Sequence, residues 1–556
     1  MGTASALAAL AMTRTTVRAA MAPGATRMSL QVFSQDSVRV ESLRRGIAVM
    51  KALHDSDHRS WFFQAATHAY SDTLFAAARR RDPKLKTVDR AKYWNKCPHF
   101  GQSSADFLIW HRAYLHFFER NLRALAGDPT LALPYWDYGN PDQRTFPEIF
   151  APEFLDHART IRNSLYHPNR ERSFARGLLE ISASVGQAGK TVASANFFHE
   201  VGAPGLAGDE LNSDHTQIGL LEQRPHNDIH LAVGGVINST NGAMAEITTA
   251  AFDPVFWVHH TNIDRMWAEW ASKPGKRWGP LPPDSWFDER PWTFLDVDGT
   301  EQTLSRREAM ALLADYDVHY PQLLSLTVTP VTVASAEAPP PTAAPGGGER
   351  ALPLPEAAGA EREERATAAM APRTAAAPRA IKRAKPPGPA ERELLADHRP
   401  LTVTPHISGQ RQFGATPPAH PTADHVVKAA PAPQLNAPEL GNPNAKVLLE
   451  LAGITFKRVP SSGFAIFLDG GGKRATEPVG LIDIFGATHA GMHHMAGMPS
   501  ATAVQRFDVT EIVTTSSGPF VLRVEPYDLL VTKGGKPGAR RADAVRIGSV
   551  RFVVVG

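Results

Sequence analysis

Residues 253–267 read DPVFWVHHTNIDRMW, and this stretch decides the fold class. Asp253-Pro254 is a turn and helix-start signal, because proline fixes φ and supplies no N–H. Phe256, His260, Ile263 and Trp267 then recur at +4, +3 and +4, which is one face of an α-helix. His260 therefore points where core residues point, while His259 points elsewhere and reads as structural or supporting. Asp264 and Arg265 read as groups that buttress the helix. A buried imidazole needs partners for its polar atoms, since leaving them unpaired is costly. A metal ion is one such partner.

The same pattern recurs upstream. In SADFLIWHRAYLHFFER (104–120), Phe107, Trp110, His111, Tyr114, Leu115 and Phe118 form one stripe, with His111 inside it and His116 off it. In SWFFQAATHAY (60–70), Trp61, Gln64, Ala65 and His68 share a face, whereas His54 and His58 in HDSDH read as loop and cap. In PHNDIH (225–230), His226 and His230 stand four apart, so a helix sets both imidazoles toward one point. HxxxH alone is common by chance. Inward histidines on four helical segments together predict a bundle core holding more than one metal. Imidazole-only sites suit copper, zinc, iron or nickel. The HExxH of many zinc hydrolases is absent, since His199-Glu200 continues as Val-Gly-Ala.

At 556 residues the chain exceeds one ordinary domain, and 43% hydrophobic with 21% charged residues is a globular balance. A net charge of +3 makes no electrostatic case for nucleic acid or an acidic membrane surface. No apolar run approaches the ~18 residues of a membrane span. The single cysteine, Cys97, allows no intrachain disulfide and fits a reducing compartment. Residues 1–37 form an arm without a convincing secretory signal, which favours a cytoplasmic location. Residues 38–330 hold all ten tryptophans and the helix-period segments. Residues 331–440 are Pro- and Ala-rich and read as a linker. From 441 to 556, short β-rich runs such as KVLLELAGITF and GPFVLRVEPYDLLV alternate with Gly, Pro and Ser, predicting a small β-sandwich. The expected fold class is therefore a mainly α catalytic domain, a linker and a C-terminal β domain.

These motifs resemble the tyrosinase copper-binding domain over roughly Leu43 to Trp270. WFFQAATHAY, FLIWHRAYLHFFER, PHNDIH followed by AVGG, FDPVFWVHHTNIDRMW, and LPYWDY at Leu133–Tyr138 are each similar to segments of that family. The resemblance implies a dicopper centre in a four-helix-bundle core, with O2 as co-substrate and small phenols as substrates. His68, His99 and His111 would hold copper A, and His226, His230 and His260 copper B. His99 and His111 stand twelve apart, wider than the family's usual spacing. Cys97-Pro98-His99 matches the C-x-H in which many members carry a thioether between the cysteine sulfur and the imidazole. Glu222 and Asn227 match the pair that holds a water beside copper B. Phe256 is similar to the phenylalanine near the substrate ring, and Ile247 occupies the position that partly covers copper A.

The implied activity is ortho-hydroxylation of monophenols and oxidation of o-diphenols to o-quinones, with melanin-type pigment precursors as products. The C-terminal β region resembles the shielding domain of long polyphenol oxidases, which keeps the enzyme latent. The loop Thr488–Met498 is the expected lid or copper-delivery segment, through His489, Met492, His493, His494, Met495 and Met498, since thioether and imidazole suit Cu(I). The alternatives are a catechol or o-aminophenol oxidase without monophenolase activity, a haemocyanin-like oxygen binder, and a zinc-loaded structural protein. A homo-oligomer is compatible with the sequence.

Overall fold

The computed structural model describes residues 25–98, 104–191, 195–199, 205–208, 218–237, 240–273, 278–312, 391–397, 401–403, 409–413, 445–456, 460, 462–487, 504–516, 520–534 and 544–555. The N-terminal half is helical. Helix α1 (Ser37–Ala52) starts where the Asp36 carboxylate accepts from Val38 N–H and Arg39 N–H. Helix α2 (Trp61–His68) is capped by the Ser60 hydroxyl, and every one of its residues is buried. Helix α3 (Asp106–Ala126) buries the predicted stripe and ends at Gly127, whose φ of 62° closes the last turn in the left-handed region. Gly46 of α1 lies against α3 so closely that a Cβ there would meet Leu122 at 2.6 Å.

Helix α4 (Asp228–Gly234) follows a wide turn over Glu222–Asn227. Helix α5 (Val255–Ser272) begins at the expected Asp253-Pro254 signal. There the Asp253 carboxylate accepts from Val255 N–H at 3.0 Å and pairs with buried Arg170 through both oxygens.

Charge is buried where α3 and α5 meet. Arg27 spans Glu119 of α3, at 3.0 and 3.1 Å, and Asp264 of α5, at 3.0 Å. Arg112 approaches the other oxygen of Asp264 at 2.7 Å and lies over the Trp267 ring. Arg27 belongs to the 1–37 stretch expected to be an arm, yet its side chain is 2% exposed. Removing one member of a buried charged set leaves its partners uncompensated. Arg27→Ala is therefore expected to lose about 3–5 kcal/mol, read as a lower denaturant midpoint by far-ultraviolet circular dichroism.

The described C-terminal region is built on two four-stranded antiparallel sheets, beside a short pairing of Leu401–Val403 with Val545–Ile547. Taking strands in chain order, β1 (Leu179–Ile181) lies in the helical half. Then come β2 (Glu391–Asp397), β3 (Gly409–Phe413), β4 (Lys446–Ala452), β5 (Ser462–Asp469), β6 (Gly480–Leu481), β7 (Gln505–Asp508), β8 (Phe520–Asp528), β9 (Leu530–Thr532) and β10 (Ser549–Val555). One sheet has the order β6-β5-β8-β3 and the other β7-β4-β10-β2. Glu450 of β4 is buried between Arg506 and Arg551, its register partners on the two flanking strands.

Strands β2 and β3 fall inside the 331–440 stretch read as linker. Residues 332–390 lie outside the described residues. Strand β9 leaves its own sheets and pairs antiparallel with β1, joining the β region to the helical one. No described helix is long and apolar enough to cross a membrane.

Candidate metal centre

Helices α2, α3, α4 and α5 bring their inward histidines to one place. His226, His230, His259 and His260 form one buried cluster, and His68, Cys97 and His111 a second. In the first, His260 Nε2 lies 3.3 Å from His226 Nε2 and 3.4 Å from His230 Nε2. Nitrogens about 2.0 Å from one metal, at tetrahedral to trigonal angles, stand about 3.3–3.5 Å apart, so this set matches a first-row metal ion. The two clusters meet at His111 and His260, whose rings stack at 4.2 Å and 13°.

The distal nitrogens fix the tautomers. His230 Nδ1 lies 2.8 Å from the Met244 carbonyl, His111 Nδ1 2.7 Å from the Phe107 carbonyl, and His226 Nδ1 2.7 Å from Asn227 Oδ1. Each acceptor keeps a proton on Nδ1 and leaves Nε2 for a metal. Gly234 makes the first of these contacts possible. A Cβ on it would sit 2.2 Å from Ala245 N, so only glycine lets the Met244–Ala245 turn come close enough to present its carbonyl. Burial, and then the His111 imidazole, hold His260 well below the usual imidazole range; burial does the same for His259. Both are thus neutral at neutral pH, the form that ligates metal.

His259, read from sequence as supporting, stacks beside His226 at 5.3 Å and places Nδ1 3.2 Å from the Tyr138 hydroxyl. Its ring lies closer to the metal-binding set than helical phase alone implied. His116 stays outside both clusters, against Phe117. Phe256 sits between the clusters, edge-on to His68 at 4.9 Å and 4.1 Å from His260. Phe107 is a second divider, 4.5 Å from His111 and 4.6 Å from His226. Glu222 and Asn227 are both buried at the two ends of the wide turn before α4. Ile247 is buried at the start of the one-turn helix Ile247–Ala250, just after the Met244 turn.

His99, and with it the Cys97–His99 thioether, lies outside the described residues, as does the whole loop with His489, Met492, His493, His494, Met495 and Met498. Cys97 itself is buried, with Sγ 4.0 Å from His111 Nε2.

Three groups from the β region reach the centre, and the sequence pattern does not reveal them. Phe485, in the one-turn helix Ile484–Ala487, stacks on His230 at 4.1 Å and 20°. Asn227 Nδ2 donates to Asp483 Oδ1 at 3.0 Å. The Tyr527 hydroxyl donates to Asp228 at 2.6 Å, and Arg224 lies over the Tyr527 ring.

The model for the common central domain of tyrosinase matches residues 58–204 and 204–273. The chloroplastic polyphenol oxidase of Spinacia oleracea is 29% identical over 262 residues, 43% of this chain and 38% of its own length. A tyrosinase of Hahella sp. (strain CCB-MM4) is 29% identical over 334 residues, 56% of this chain and 65% of its own. The chain thus spans about two fifths to two thirds of these relatives' lengths. A structure of latent apple tyrosinase aligns over 96% of this chain and 97% of its own, with 20% identity and a TM-score of 0.49. Residues 58–273, which carry the clustered His68, His111, His226, His230 and His260, thus match the common central domain of tyrosinase, and the relatives matching that region are tyrosinases and polyphenol oxidases.

Proposed function

We propose that the chain is a dicopper phenol oxidase that uses O2 to hydroxylate monophenols at the ortho position and to oxidise o-diphenols to o-quinones. The observation that carries this reading is the meeting of two buried imidazole sets at the stacked His111 and His260 rings. His226, His230 and His260 would hold copper B, and His68 and His111 copper A, with His99 completing that set as in the family pattern. When bound, the two coppers supply O2 activation and accept the electrons of the phenol.

The chain's own residues do the rest. Phe107 and Phe256 separate the histidine rings and keep bulk water from them. A phenol must lose a proton whose intrinsic pKa is ~10. Asn227 bonds His226, Glu222 is buried at the other end of the same turn, and the pair would hold the water that receives it. Glu222→Gln is expected to lower L-tyrosine turnover by about 100-fold, the usual worth of a positioned base, while L-DOPA turnover stays near native. Equal losses on both substrates would overturn that role and leave a general structural one.

Latency is part of the same reading. Phe485 lies flat on His230, and on this reading it takes the face of that imidazole on which a substrate ring would stack. Phe485, three residues before Thr488–Met498, joins that loop as a candidate cover; the loop itself lies outside the described residues. Copper analysis with paired tyrosine and DOPA assays, before and after cleavage within 332–390, tests activity and latency together. Two coppers and a rise in turnover on cleavage support both, and the absence of copper removes the reading.

A further inference from the structure

We propose that Asp483, carried in from the β region, is a positioning residue for copper B, acting through Asn227 on the tautomer of His226. The inference rests on the copper B assignment above. Asn227 presents its two ends differently: Oδ1 faces His226 Nδ1 at 2.7 Å, and Nδ2 faces Asp483 Oδ1 at 3.0 Å.

An asparagine amide can sit in two orientations related by a flip, and its neighbours decide between them. A carboxylate accepts only, so Asp483 demands the NH2 end and turns the oxygen toward His226. That oxygen accepts only, so it selects the Nδ1–H tautomer and leaves the Nε2 lone pair for the metal. With the amide flipped, NH2 would donate to His226 Nδ1. The proton would then reside on Nε2, 3.3 Å from His260 Nε2, and block the metal position.

Asp483 is built to hold this post. Its N–H donates to Gln505 Oε1 at 2.9 Å, and its carbonyl accepts from Gln505 Nε2 at 2.7 Å. The preceding Ile482 N–H donates to the Phe464 carbonyl. His226 and Asn227 are buried, and the cavity in the seam around Asn227, Asp228, Asp483 and Tyr527 is only about 10 Å³. That is room for one water at most, so solvent does not readily replace the carboxylate. Phe485 and Asp483 thus act differently from one short segment: one covers the site, and the other prepares a ligand in it. Because binding couplings are reciprocal, copper at site B tightens the hold on the β region by the same factor.

The test is the Cu(I) affinity of the full chain, measured by competition with a chromogenic Cu(I) chelator. Asp483→Ala is expected to weaken one of two copper sites by about 10- to 100-fold, the usual effect of losing an outer partner of a metal ligand. Asp483→Asn keeps an acceptor oxygen for the Asn227 amide and is expected to restore most of the affinity. Tyr527→Phe loosens the same seam without touching Asn227 and is expected to leave the affinity near native. Unchanged affinity in Asp483→Ala overturns the proposal. So does an equal loss in Tyr527→Phe, which would mark general docking as the cause. A native chain that binds no copper fails the family reading itself, and the inference with it.

Discussion

Replacing His260 by alanine is expected to lower copper from about two to about one per chain and to cut catechol turnover by more than about 100-fold. The magnitude follows from position. Losing an outer partner of a metal ligand costs 10–100-fold in affinity or activity, and losing the ligand costs more. His260 is the hinge of the whole centre: its Nε2 is within 3.4 Å of the His226 and His230 Nε2 nitrogens, and its ring stacks on His111 of the opposing set. Elemental analysis and catechol assays on the cleaved chain read both effects. Because His260 is central to α5 and fully buried, His260→Asn serves as a second variant of closer size and polarity. Retention of two tightly bound coppers in both variants would refute the copper B assignment.

Replacing Phe485 by alanine is expected to raise catechol turnover of the intact chain by about 10- to 100-fold without cleavage. Burial of a phenylalanine side chain contributes about 1.5–3 kcal/mol. Phe485 is buried, and its ring spends that contact on His230. Removing it shifts the closed-to-open balance by the same energy, and each 1.4 kcal/mol is tenfold in an equilibrium constant. Substrate then competes with a weakened cover for the same face of the imidazole. The intact variant should approach the cleaved native chain, and cleaving the variant should add little. A variant as inactive as the intact native chain would move the cover to another residue.

The clustered His68, His111 and His260 are legible in the sequence because each sits in a stripe whose period is that of the helix carrying it. Phe256, His260, Ile263 and Trp267 declare the face of α5 by their spacing alone, and Asp253-Pro254 declares its start. Groups that reach the site from far along the chain leave no such mark. Gly480 to Phe485, GLIDIF, reads as one strand, but the strand ends at Leu481, a last bond runs from Ile482 N–H to the Phe464 carbonyl, and a helical turn follows from Ile484. An apolar residue there looks like sandwich core, and only the docking of the two regions gives Phe485 its other neighbour.

Arg27 is illegible for a related reason: its partners Glu119 and Asp264 lie 92 and 237 residues away. Strand β2, ERELLAD, is charged and poor in β-branched residues. Its conformation comes from pairing with Ser549–Val555 at the sheet edge rather than from local preference.

The pairing of β1 with β9 bears on what the proposed cleavage would do to the helical half. Leu179–Ile181 meets Leu530–Thr532 through main-chain hydrogen bonds, continued by Ser182 N–H on the Leu529 carbonyl. If the β region departs, those amides and carbonyls become an open strand edge on the helical half, with half-buried Leu179 beside it. Unpaired edges template association with other chains, and a three-residue edge limits but does not abolish that tendency. A cleavage that uncovered the histidine centre would therefore also make the protein stickier, linking the proposed release of activity to a shorter soluble lifetime.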